Sequence, residues 1–186
     1  CGLATPRSKV VTMAILPIIW APDPRLKVIS EPVPAVDDAV LKLMDDMLET
    51  MYAEPGIGLS AIQIGIAKRI VVVDVAREGE DPQPIRLVNP VITGESDDLA
   101  IFDEGCLSLP EFFSEIERPA EVEVTYTDEN GAEQTLRADD ILSRCLQHEI
   151  DHLDGILFVD HLSAVRRGMI LRKLSKLKKS KERESA

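Results

Sequence analysis

Apolar residues recur at helical spacing between residues 40 and 51. There Val40, Leu43, Met44, Met47, Leu48 and Met51 fall on one face of a 3.6-residue period. Asp37 or Asp38 is placed to cap this helix, and Pro55 and Gly56 end the run. Upstream, Pro22, Pro24, Pro32 and Pro34 keep the chain extended or turned. The pattern then changes. Residues 70–75 form a nearly continuous apolar run suited to a buried strand, and residues 85–88 and 91–93 read as two short strands around Asn89-Pro90. Val122, Val124 and Tyr126 alternate with polar neighbours ahead of the turn signal Asn130-Gly131, from which residues 134–137 return as a hairpin partner. A second helix, capped by Asp139 or Asp140, closes at Gly155, and an amphipathic third runs from about Ser163 into the tail. The strands come as hairpins and do not alternate with helices. The pattern therefore predicts an α+β fold, with mostly antiparallel sheets packed around the second helix and a C-terminal helix behind.

Composition narrows the class. A chain of 186 residues that is 45% hydrophobic can bury one sizeable core, which predicts one domain. No apolar run is long enough to cross a bilayer. Three cysteines, Cys1, Cys106 and Cys145, suit a reducing cytoplasm better than a disulfide framework. The formal charge of −12 argues against a surface that grips nucleic acid all over, but the average hides an asymmetry. Residues 166–186 hold nine basic groups against two acids and sit near +7, which leaves the body near −19. That tail is either a solvated helix face or a contact for a polyanion. Residues 1–12 carry no acid and no clear period. They read as an expression remnant or extension, with the end of an organellar transit peptide as the alternative. The organisation expected is thus an extension over 1–12, one folded domain over 13–165, and a basic helical tail over 166–186 of the same domain.

The second helix carries the chemistry. In His-Glu-Ile-Asp-His, residues 148–152, the two histidines lie one turn apart and face the same way, so they can grip a divalent ion while Glu149 stands ready as a base. A catalytic ion needs a third protein ligand. The metzincin pattern fails because Phe158 stands where its third histidine belongs, and a downstream carboxylate is missing around Arg172 and Lys173. Upstream, Cys106 sits in an extended stretch, Glu-Gly-Cys-Leu-Ser-Leu-Pro over residues 104–110, and a thiolate with two imidazoles leaves one position open. Cys145 reads as a buried structural thiol. A third segment, Gly-Ile-Gly-Leu-Ser-Ala-Ile-Gln over 56–63, is weak evidence by itself.

Together the three segments resemble the peptide deformylase family, whose members carry Gly-x-Gly-Leu-Ala-Ala-x-Gln, Glu-Gly-Cys-Leu-Ser and Gln-His-Glu-x-x-His-x-x-Gly. Here these fall at residues 56–63, 104–108 and 147–155, in the same order, within a resemblance running from about Met13 to the tail. The resemblance implies removal of the N-formyl group from the formyl-methionine that begins a new bacterial polypeptide. It implies Cys106, His148 and His152 as ligands of one divalent ion, commonly Fe²⁺, with Zn²⁺, Ni²⁺ or Co²⁺ able to substitute. Glu149 would be the general base, and the Gln63 amide and Leu107 backbone N–H the oxyanion donors. Ile57, Phe102, Ile141 and Cys145 are candidate walls of a methionine slot, or else ordinary core. Gly58 and Gly105 leave room for an extended peptide to pair with the backbone. Arg144, one turn before His148, belongs to the cleft rim or simply to the surface. Two positions depart from the family pattern. Ser60 replaces the usual alanine, a change expected to leave Gln63 in place. Phe113 stands where some bacterial relatives have a substrate-contacting arginine, so that contact does not carry over. The resemblance further implies a cytoplasmic protein, no membrane, and a C-terminal helix that docks on ribosomal RNA near the nascent-chain exit. The competing readings are a metallopeptidase on the same helix and a non-catalytic ribosome-binding module with a structural ion.

Overall fold

The computed structural model describes residues 14–184 apart from Glu78; the extension expected over residues 1–12 lies outside the described residues. Helix α1 (Asp38–Ala53) begins where Asp37 accepts a hydrogen bond from the Val40 N–H at 2.9 Å. Five strands form an antiparallel sheet in the order β1-β2-β3-β6-β7: β1 (Gly58–Ser60), β2 (Ile70–Val73), β3 (Ile85–Glu95), β6 (Val122–Thr127) and β7 (Glu133–Ala138). A separate hairpin pairs β4 (Leu99–Cys106) with β5 (Leu109–Pro119). Helix α2 (Asp140–Leu153) carries the histidines, and α3 (Ala164–Glu184) ends the described chain.

Strand β2 shows why its sequence lacks alternation. Ile70 and Val72 face the α1 core with Met44, Met47 and Met51, whereas Val71 and Val73 face the α2 core with Leu146, Ile150 and Leu153. Both faces are buried, so every position is apolar. A third cluster joins the β4–β5 hairpin to α3 through Leu109, Ile116, Phe158 and Leu174. Helix α2 thus packs on the five-stranded sheet, as the α+β reading expected.

The strands around Asn89-Pro90 differ from the sequence reading. The two short strands expected around Asn89-Pro90 are one strand, β3, with a register shift between Val88 and Val91. Asn89 absorbs the bulge at φ +52°, and its amide exchanges two hydrogen bonds with the Val33 backbone, at 2.7 and 2.8 Å. At the start of α2, Asp139 occupies the cap position without a side-chain cap bond. At its far end Gly155 adopts φ +74° with Lys27 O only 2.7 Å from where a Cβ would sit, so the turn that closes the motif helix needs glycine. No described helix is long and apolar enough to cross a membrane.

Candidate active site

Three elements deliver the chemistry to one place. Helix α2 presents His148, Glu149 and His152; the end of β4 presents Cys106; and the turn after β1 presents Gln63. The Cys106 Sγ, His148 and His152 donor atoms all lie within 4.8 Å of one another, with Sγ 3.2 Å from His152 Nε2 and the two Nε2 atoms 3.2 Å apart. A thiolate and two imidazoles converging in this way fit a borderline divalent ion. His148 Nδ1 lies 3.0 Å from Glu104 Oε2, which makes Nδ1 the donor and leaves Nε2 on the side of Cys106 and His152.

Behind Glu104 runs a charge relay that the sequence reading missed. Arg118 grips both Glu104 oxygens at 2.5 and 3.1 Å and reaches Asp151 at 2.9 Å; Asp151 in turn meets His161 Nε2 at 2.8 Å. Burial alone would raise the Glu104 carboxyl, but hydrogen bonds and charge from His148 and Arg118 outweigh it and hold it at about 2. Burial pushes the His152 imidazole well below its usual range, as suits a neutral ligand. Burial opposes a charge on His148 too, yet Cys106 and Glu104 raise it well above the usual value. The neighbours of His148 thus favour a positive charge on that ring, while His152 is held neutral.

Glu149 is buried, and that burial raises its carboxyl above the ordinary range. The Gly58 backbone passes directly over it. A Cβ at 58 would stand 2.6 Å from Glu149 Oε1 and 2.7 Å from Cys145 Sγ, so only glycine fits there. Gln63 accepts the Ser60 N–H at 2.9 Å through Oε1, which aims Nε2 at Ser108 Oγ (3.2 Å) and Cys106 Sγ (3.6 Å). Ser60 therefore leaves Gln63 in place, as expected. It also reaches further: its hydroxyl lies 2.6 Å from Glu149 Oε2.

A cleft of about 700 Å³ opens over these groups. Ile57, Gly58, Gly105 and Cys145 line it, together with Gln63, Cys106, Leu107, His148 and Glu149. Phe102 and Ile141 are absent from that lining; Phe102 lies beneath the Arg144 guanidinium, 4.8 Å from ring centre to Cζ, while Arg144 itself reaches the rim. Cys145 is buried, its Sγ 3.5 Å from Ile57 O, and burial pushes its thiol well up. Phe113 covers Gly105 across the β4–β5 pair and is 65% exposed at the mouth. Ile18 and Trp20, from the proline-rich lead-in, complete one wall that no periodicity announced.

A family model of polypeptide deformylase matches residues 15–168. The peptide deformylase of Agrobacterium fabrum is 52% identical over 169 residues, 91% of this chain and 99% of its own length. The crystal structure of peptide deformylase from Ehrlichia chaffeensis superposes with a TM-score of 0.86 at 42% identity, covering 90% of this chain and 99% of that one. A Met-Ala-Ser-bound class I type b peptide deformylase from Acinetobacter baumannii does so at 0.77 and 31% identity, covering 81% of this chain and all of that one. With fold, motif order and full-length likeness in agreement, this chain belongs to the polypeptide deformylase family.

Proposed function

We propose that this chain is an enzyme that hydrolyses the N-formyl amide of the formyl-methionine beginning new polypeptides, releasing formate and a free amine. The observation that carries the reading is the convergence of the Cys106, His148 and His152 donor atoms beside a buried carboxylate and an aimed amide on the floor of one cleft. Cys106, His148 and His152 would hold one divalent ion, Fe²⁺ in the cell, which when bound makes hydroxide available at neutral pH and polarises the formyl oxygen. Glu149 takes the proton of the attacking water and later hands it to the leaving amine. The Gln63 amide and the Leu107 N–H donate to the oxygen as it gains charge; one such donor is worth about 3–4 kcal/mol in the transition state. The methionine side chain lies against Ile57 and Cys145, with Gly58 and Gly105 giving the peptide backbone close approach. Phe102 and Ile141, the other candidate walls, do not line this cleft. Residues 13–165 form the catalytic domain, working in the bacterial cytoplasm, and the basic tail over 166–186 meets ribosomal RNA.

The reading is tested with formyl-Met-Ala-Ser and its unformylated counterpart. The protein should release formate from the first and leave every peptide bond of both intact. Chelation should stop the reaction, and Fe²⁺ restored without oxygen should recover it. Cleavage of the unformylated peptide without formate release would identify a peptidase instead.

A further inference from the structure

Ser60 stands where two parts of the site meet. It ends β1, is wholly buried, and uses its two polar groups on two different partners. Its backbone N–H fixes Gln63, while its hydroxyl lies 2.6 Å from Glu149 Oε2 and 2.9 Å from the Glu149 backbone oxygen. A hydroxyl has one proton to give. The shorter contact, to the carboxylate, falls in the range of a charge-assisted O–H···O⁻ bond, so the proton goes there. The other carboxylate oxygen, Oε1, lies beside Gly58, and both residues line the cleft.

We infer that Ser60 is a positioning residue for deformylation, whose hydroxyl locks the Glu149 carboxylate with Oε1 toward the cleft as the atom that takes the proton of water. The physical need is clear. The terminal torsion of a glutamate is broad and nearly two-fold, so an unrestrained carboxylate spreads over several orientations, and only some suit proton transfer. Alanine, the residue the family motif usually has at this position, offers no donor. Cysteine keeps nearly the same size but donates weakly. The hydroxyl thus adds to this chain a restraint on the base that the motif does not require, and it does so from the residue that also orients the oxyanion donor. The inference rests on the deformylase reading.

The test compares Ser60→Ala and Ser60→Cys with the wild type, measuring kcat, KM and bound metal on formyl-Met-Ala-Ser. Both variants should lose about 3- to 10-fold in kcat, the worth of one positioning hydrogen bond, with KM within two-fold and metal content unchanged. In a Glu149→Gln background, Ser60→Ala should add no further loss in single-turnover rate, because the hydroxyl acts through the carboxylate. Three outcomes would overturn the proposal: kcat of both variants within two-fold of wild type, a Ser60→Cys protein that matches wild type while Ser60→Ala falls, or a loss that follows metal content. A wild type that releases no formate would instead overturn the deformylase reading itself.

Discussion

Glu149 and Cys106 carry the proposed chemistry, and each was picked out by its neighbours in the chain. Glu149 follows a histidine that has a partner one turn on, a spacing that only a helix converts into proximity. Glu149→Gln should keep the bound metal, since all three ligands remain, while kcat falls about 100- to 10,000-fold for want of a proton acceptor. Metal analysis beside steady-state kinetics checks this, and near wild-type turnover at full metal content would remove Glu149 from the role of base. Cys106 was harder to choose, because Cys145 stands on the motif helix itself. The fold separates the two: Cys106 Sγ is 3.2 Å from His152 Nε2, whereas Cys145 Sγ lies against Ile57 O with its thiol pushed up by burial. Cys106→Ser should therefore empty the site and abolish activity. Cys145→Ser should retain the metal and alter only substrate affinity and packing; the reverse pattern in metal content would exchange their roles. Ser60 was seen in the sequence as a harmless departure, because no one-dimensional pattern shows that the end of β1 crosses α2 at Glu149.

At the level of elements, what escaped the sequence reading was the β4–β5 hairpin, and with it the relay behind His148. Its signal was present in β5: Ser114, Ile116 and Arg118 point inward while Glu115 and Glu117 point out, which puts an arginine on the buried face of a strand. A buried arginine demands a carboxylate, and Glu104 on the paired strand answers it. Arg118→Ala would leave that carboxylate buried and half-paired. It should lower stability by about 3–5 kcal/mol in urea unfolding and weaken metal binding about 10- to 100-fold, because His148 loses its fixed partner. Unchanged metal affinity would confine Arg118 to a structural role. A second tie joins α1 to the sheet, where the Tyr52 hydroxyl donates to Asp74 at 2.5 Å and Asp74 also accepts the Ala76 and Gln83 N–H groups. Burial, and then the hydrogen bond to Asp74, pushes the Tyr52 hydroxyl up to about 12. A raised folded value favours the protonated form, so this stabilisation is complete below the unfolded value of about 10 and is lost as pH rises toward 12. Urea midpoints of wild type and Tyr52→Phe, followed from pH 8 to 12, should differ by an amount that changes only within that window.

Over the whole molecule, the charge asymmetry read from the sequence acquires a direction. Helix α3 turns Ile170, Leu171, Leu174 and Leu177 onto the third core cluster, with Leu174 wholly buried. Arg172, Lys176, Lys179 and Arg183, spaced three and four apart, are all exposed on the opposite side. Elsewhere on the helix Arg167 is ion-paired with Asp160 and Lys181 lies over the Trp20 ring, so part of the basic excess is structural. The sequence alone showed a tail near +7; it did not show that the same segment closes the core beside the active-site hairpin. Cutting the chain before α3's buried leucines would open that core and confuse folding with binding, so the proposed ribosome contact is better tested by charge than by truncation. Arg172, Lys176, Lys179 and Arg183 replaced together by glutamine should keep formate release within two-fold of wild type, since none of them lines the cleft. Co-sedimentation with ribosomes at low salt should weaken sharply, and the slope of log affinity against log salt should fall by about 3, as fewer counterions are released from the RNA. A variant that pellets with ribosomes as well as the wild type, with the same salt slope, would leave this face as a solvated one whose charge only offsets the acidic body.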